Sequence, residues 1–234
     1  MIKKTSLFLL FFFFYFEGIA QDTSIDYTIT ANDEFVNSTP DIAFMKNVLS
    51  QLKNISCTLT FNEEEMKFIV NPNSKVSSED YDMIMDMLDL KGNCYRKKNS
   101  DIIYVEKNIN NHDYILTKRI LTDWFISDEK KNIQGYECIK ATALLFVDDG
   151  SGEINKLYPV TAWFFPENKN PYGPMGYGGL PGLILELKNS IVTLRFNSIK
   201  TNKNSFPITY PKDIPIIPEN KMYTIFSTPS KNDK

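Results

Sequence analysis

Apolar and polar residues alternate along most of this chain, and two stretches switch to helical spacing. Ile25, Tyr27 and Ile29 alternate with polar neighbours, the period-two pattern of a half-buried strand. Thr39-Pro40 then predicts a helix start, with Thr39 as N-cap and Pro40 at the first helical position, where a missing N–H does no harm. Phe44, Val48 and Leu52, joined by Met45 and Leu49, form one apolar face of that helix. Residues 55–61 and 65–70 alternate around Asn62-Glu63-Glu64, predicting a hairpin that Asn71-Pro72-Asn73 ends. Ser77-Ser78 before Glu79-Asp80 is a second helix-start signal, and Tyr81, Ile84, Met85 and Leu88 follow at helical spacing. Met83, Met85 and Met87 read as core packing, because a thioether fills irregular gaps well.

From Cys94 onward the pattern is mainly β. Candidate strands cover residues 102–106, 114–119, 123–127, 136–147, 158–165, 182–188 and 191–199, with turn-formers between them. Short connections between consecutive strands predict an antiparallel meander. The expected fold class is α+β, predominantly antiparallel β: a curved meander sheet or half-barrel with two short helices packed on one face. Nothing separates two domains, so residues 21–206 read as one β-rich unit. Pro207, Pro211, Pro215 and Pro218 predict an extended tail over residues 207–234, ending in an apolar patch at 222–226 suited to docking back.

The first twenty residues follow a different rule. Lys3 and Lys4 precede an unbroken apolar run from residue 7 to 16, and Gly18-Ile19-Ala20 supplies small residues for signal peptidase. A run of that length is about half of a membrane-spanning helix, so residues 1–20 read as a signal peptide cleaved after Ala20. The expected protein is exported, to the periplasm or the outer-membrane periphery, with no transmembrane segment in the mature chain. Export puts Cys57, Cys94 and Cys138 in an oxidising setting. The simplest count is one disulfide, Cys57–Cys94, with Cys138 left as a buried thiol.

Composition narrows the chemistry. The formal net charge is −3 and no basic cluster stands out, which argues against nucleic acid as a partner. A single histidine, His112, excludes multi-histidine zinc sites and catalytic sites built on two or three histidines. Glu63-Glu64-Glu65 and Asp148-Asp149 sit in turns and read as solvated loop tips. Residues 148–153 lack the alternating acidic spacing of a calcium loop, and Ser151 lacks the spacing of a nucleophile elbow. No catalytic residue, metal ligand or cofactor is assigned.

The densest information lies between Asn132 and Leu187. It runs Ile133-Gln134-Gly135-Tyr136-Glu137-Cys138-Ile139-Lys140-Ala141, then Ala162-Trp163-Phe164, then Gly173-Pro174, then Gly179-Leu180-Pro181-Gly182-Leu183-Ile184. With Trp124 and Lys131 ahead of it, this arrangement closely resembles the GLPGLI family of exported Bacteroidota proteins. The resemblance implies an exported protein working at the cell envelope, and no catalytic constellation comes with the motif.

Two physical readings of the motif follow from its residues. Tyr172, Gly173, Pro174, Met175, Tyr177, Gly179, Leu180, Pro181 and Gly182 either form a corner that plugs the core or line the mouth of a site for a hydrophobic or peptide ligand. A phosphate cradle fits poorly, because no helix start follows the glycines. Trp124, Tyr136, Cys138, Trp163, Leu183 and Ile184 are expected to pack. The function expected is a non-enzymatic binding or assembly factor for a lipid or peptide ligand or for an outer-membrane or periplasmic protein. The alternative is an envelope enzyme, a peptidase or thiol-dependent, using Cys138.

Overall fold

The structure, a computed structural model, describes residues 22–38, 42–72, 75–88, 90–148, 154–202, 208 and 210–222. The expected signal peptide and cleavage site, residues 1–21, lie outside the described residues, as do Thr39, Pro40, Pro207 and residues 223–226.

In chain order the elements are β1 (Asp22–Ala31), α1 (Asp33–Asn37), α2 (Ile42–Leu49), β2 (Ile55–Phe61), β3 (Glu65–Pro72), α3 (Ser78–Met87), β4 (Cys94–Lys97), β5 (Ile102–Ile109), β6 (His112–Arg119), β7 (Phe125–Ile133), β8 (Tyr136–Asp148), β9 (Ile154–Phe165), β10 (Leu183–Lys188), β11 (Val192–Asn202) and β12 (Ile216–Pro218). A 3-10 turn, Ser50–Asn54, carries the chain from α2 into β2. Ser77 caps α3 as its sequence predicts, its side chain accepting from the Asp80 N–H.

The strands form one sheet in the order β12-β6-β5-β4-β3-β2-β1-β11-β10-β9-β8-β7. Every described pair is antiparallel except β12 with β6, which is parallel. The α+β, mainly antiparallel class therefore holds. The half-barrel form of that expectation is corrected, because the sheet is open and uncurled, with β12 and β7 as its free edges. Those edges do not invite closure: β12 is three residues long, and β7 carries Asp128-Glu129-Lys130-Lys131 and a bulge between Ile126 and Lys130.

Three α-helices stand where two were expected, α1 being a single short turn after β1. They cover one face of the N-terminal strands. Ile25, Tyr27 and Ile29 of β1, Cys57, Leu59 and Phe61 of β2, and Met66 and Phe68 of β3 bury their side chains with Val36, Val48, Leu49, Leu52, Ile84, Met85 and Leu88. Met85 is fully buried and Met83 and Met87 pack against the same core, so the methionines serve as filler. A smaller cluster (Ala141, Val160, Ala162, Phe164, Leu180, Ile184, Leu187) holds β8, β9 and β10 together. The other face of the β8–β9 hairpin leaves Leu144, Phe146 and Leu157 about half exposed.

The tail joins the fold at its described positions. Ile208 is buried, Tyr210 stacks on Tyr104 with ring centroids 4.4 Å apart, and β12 extends the sheet beside β6. No helix among the described residues is long and apolar enough to cross a membrane.

Candidate functional site

The motif segment leaves β9 at Phe165, crosses to the N-terminal half of the sheet, and returns as β10. Its turn is tight. Tyr172 bridges Gly178, and the Tyr177 and Gly179 N–H groups donate to the carbonyls of Pro174 and Pro171. Met175 adopts φ +56° in the left-handed region, and Gly176 and Gly179 follow at +79° and +81°. The Gly-rich composition answers that geometry. Close packing explains the rest: a Cβ on Gly182 would meet the Phe165 carbonyl, and one on Gly173 would stand 2.7 Å from Ile184 Cδ1.

The structure buries most of the residues that had been set around a mouth. Tyr172, Gly173, Pro174, Leu180 and Gly182 are inside, Met175 and Tyr177 are half-buried, and only Gly179 and Pro181 are exposed. Tyr172 is a core ring, 5.6 Å from the ring centroid of Phe61. The segment therefore plugs the sheet. Trp124 stitches it from the other side: its Nε1–H is shared between the carbonyls of Leu121 (3.0 Å) and Gly178 (2.9 Å). Tyr27 on β1 donates its hydroxyl to the Ile184 carbonyl at 2.6 Å, and burial raises that phenol above its ordinary value.

Arg96 on β4 is the centre of this clasp. Only 2 % exposed, it donates through Nη2 to the Pro171 carbonyl and lays its guanidinium 5.0 Å from the centroid of the Tyr172 ring. Gly178 leaves the room for it. Burial pulls Arg96 below its ordinary value, opposed by Tyr172 and Asp101, while burial pushes the Tyr172 phenol up to about 12. Arg96 Nε and the Tyr172 hydroxyl are buried with no hydrogen-bond partner among the described residues. Sequence patterning passed over Arg96, because Cys94-Tyr95-Arg96-Lys97 shows no alternation that would mark a buried face.

None of the three cysteines forms a disulfide and all three are buried, which corrects the Cys57–Cys94 bridge. Strand β3 lies between them: Cys57 faces Val70 and Cys94 faces Phe68. Two inter-strand spacings and the two-residue offset along β3 put their Cα atoms roughly 11–12 Å apart, past the ~7 Å a disulfide can span. Cys138, fully buried, contacts the Tyr136 carbonyl at 3.7 Å, and burial pushes its thiol up to about 12. A protonated, inaccessible thiol is a poor nucleophile. Tyr136 meets Phe165 and Phe196 edge-on, and Leu183 and Ile184 are core residues. Trp163 lies under Lys131 Nζ at 5.2 Å, and Lys131 pairs with Glu186, which also takes Arg195. His112 is exposed at the start of β6.

The open feature lies elsewhere. A cleft of about 510 Å³ separates β1 from α1, α2 and the 3-10 turn, lined by Thr28, Ile29, Thr30, Ala31, Asp33, Val36, Lys46, Leu49, Ser50, Leu52 and Lys53. Ile29, Val36, Leu49 and Leu52 form an apolar floor, and Lys46, Lys53 and Asp33 stand exposed at its rim. Sequence patterning identified Leu49 and Leu52 as an apolar face but carried no sign that the helix stops short of covering β1. The arrangement suits reversible binding of a ligand with an apolar part and a negative group.

Comparison with known proteins bears on the fold alone. No protein-family model and no curated protein matches the chain. Two solved structures of PNGF-II, in space groups C2 and P21, superpose with TM-scores of 0.54 and 0.55 at 13% and 14% identity. They cover 88% and 89% of this chain, which spans only about a third of theirs (33% and 34%), so the chain is similar in fold to one part of a longer protein.

Proposed function

We propose that this protein is exported to the cell envelope, as the GLPGLI resemblance implies, and that it serves there as a binding protein for a hydrophobic or peptide ligand or a segment of a partner protein. The observation that carries the reading is the cleft of about 510 Å³ beside β1, which joins an apolar floor to a cationic rim. The buried motif clasp supports it indirectly, by fixing the sheet on which the cleft stands. Binding rather than turnover fits the cysteines, since burial that raises the Cys57 and Cys138 thiols to about 12 disfavours thiolate chemistry at neutral pH.

Fractionation of native cells, followed by mass spectrometry of the purified chain, tests both parts. The expected product begins at Gln21, sits in the envelope fraction, and carries a co-purifying ligand or envelope protein that Lys46→Glu with Lys53→Glu releases. A chain that keeps residues 1–20 in the cytoplasm refutes export. A protein recovered bare, with the double variant indistinguishable from wild type, refutes the binding reading.

A further inference from the structure

The β8–β9 hairpin is longer than the sheet that flanks it. On one side β7 begins at Phe125, opposite Thr142, and on the other β10 ends at Lys188, opposite Thr161. Beyond that row, residues 143–148 of β8 and 154–160 of β9 pair only with each other among the described residues. A two-stranded ribbon standing alone in water is marginally stable and persists best with an apolar face covered.

Register separates the faces, because directly opposed residues point to the same side. Ile29, Leu194, Leu187, Ala162 and Ala141 form one buried row, which starts beneath the helices. The adjacent row, from Thr30 and Thr193 through Lys188, Thr161 and Thr142 to Phe125, points the other way. Leu144 with Pro159, and then Phe146 with Leu157, continue that helix-free face along the ribbon. Phe125 is 72% exposed, Leu144, Phe146 and Leu157 about half, and Pro159 is exposed as well. Phe125 is the diagonal neighbour of Leu144 across β7 and β8, so the five make one apolar patch.

Its size decides what can cover it. At about 200 Å² for a large apolar side chain, the exposed parts of the two Phe and two Leu come to roughly 400 Å². Two such patches face to face, at the ~60% apolar share of a protein interface, make a contact of about 1,300 Å², within the range of stable specific interfaces. The five side chains, and the Thr142–Thr161 pair behind them, carry no charge. A copy of the same surface therefore meets it without like-charge repulsion, as a two-fold contact requires.

We infer that this patch is a two-fold interface that pairs the protein with a second copy of itself, sheet face to sheet face. With the two ribbons antiparallel, Phe146 and Leu157 of one protomer rest on Leu144, Pro159 and Phe125 of the partner subunit. The cleft beside β1 opens on the helix-covered face, so the dimer leaves it free and the inference does not depend on what the cleft binds.

The test is sedimentation velocity of the full chain expressed with export, over concentrations on the order of 1–100 µM, the weak end for interfaces of this size. The mass is expected to rise from one chain to two across that range. Phe146→Arg with Leu157→Arg is expected to weaken association at least tenfold, with the thermal midpoint of the dilute monomer unchanged. Phe125→Ser, outside the ribbon, is expected to weaken it at least threefold and carries the test should the ribbon variant fail to fold. Ile216→Ser, half exposed on β12 at the opposite edge of the sheet, is expected to change nothing. A chain that stays single at every concentration overturns the inference, as does a dimer indifferent to the patch variants or equally weakened by Ile216→Ser. A monomer that co-sediments with phosphatidylcholine–phosphatidylglycerol vesicles, and is released by Phe125→Ser, also overturns it and gives the patch to a lipid surface.

Discussion

Gly178→Ala is the sharpest perturbation of the motif, because the structure says what the new methyl must meet. Its Cβ would lie nearer than 3.0 Å to Arg96 Nη2 and to the Pro171 carbonyl oxygen, and at 3.0 Å from Arg96 Cζ. One of these atoms is backbone and two belong to a guanidinium held by a hydrogen bond and a ring, so none moves cheaply. Displacing Arg96 gives up a charge-assisted bond worth about 1.5–3 kcal/mol and a desolvated cation–π contact worth about 2 kcal/mol. Keeping it in place overpacks the core by about 1–3 kcal/mol. These are alternatives more than additions, so the expected loss is about 3 kcal/mol. Urea unfolding followed by tryptophan fluorescence reads it directly, and in a domain of this size the thermal midpoint falls by about 6–12 °C. The control is Gly135→Ala, at φ +95° with nothing within 4 Å of the new Cβ, where backbone strain alone costs about 1–2 kcal/mol. In an Arg96→Ala background the Gly178→Ala loss shrinks, since only the Pro171 carbonyl remains. A Gly178→Ala protein within about 0.5 kcal/mol of wild type, or less damaged than Gly135→Ala, refutes the clasp.

Trp124→Phe keeps the ring and removes the Nε1–H shared by Leu121 and Gly178, so a loss of about 1–2 kcal/mol is expected in the same urea assay; no loss would mean water replaces the donor. Asp26 tests linkage. Burial raises its pKa, but bonds from Lys200, Ser198 and Thr58 outweigh it and hold the carboxyl below the ordinary 3.8. Its contribution is therefore complete above 3.8 and lost as pH falls through the lower folded value. Asp26→Asn should lower the urea midpoint at pH 7 and match wild type once both are well below that value; an equal deficit at pH 7 and pH 2 contradicts the sign. All three thiols should resist a thiol reagent at pH 8 in the native protein and react as three equivalents in urea. Rapid native labelling refutes their burial, and one equivalent in urea restores the Cys57–Cys94 bridge.

Local pattern carried the elements and missed their neighbours. Residues 55–61 and 65–70 alternate cleanly, so the β2–β3 hairpin was legible, as was Ser77 as the cap of α3, because both depend on residues a few positions apart. Strand β4 escaped notice because Cys94-Tyr95-Arg96-Lys97 does not alternate: its first three residues are all buried, one of them charged. Placing β1 beside β11 needs information no window contains. The same holds for Arg96 and Pro171, which are 75 positions apart. The motif was recognisable as a sharp corner from its glycines and Pro181, but what the corner reaches is set by the far half of the chain. The cleft was illegible for a related reason, since it lies between β1 and helical turns that only the folded chain brings alongside it.

The position of β1 has a consequence for how the protein comes into being. It precedes every other described strand, yet it ends up in the middle of the sheet, and its Tyr27 hydroxyl finds its acceptor 157 positions later. A chain threading N-terminus first through a ribosome or a translocation channel therefore emerges with one long, hydrophobic strand edge uncovered until β11 follows. Closing a loop of that length is entropically slow, and the interval is the window in which a chaperone has something to hold. Truncation ahead of Val192 would leave the nascent form permanent, and its expected fate is aggregation rather than a smaller folded protein.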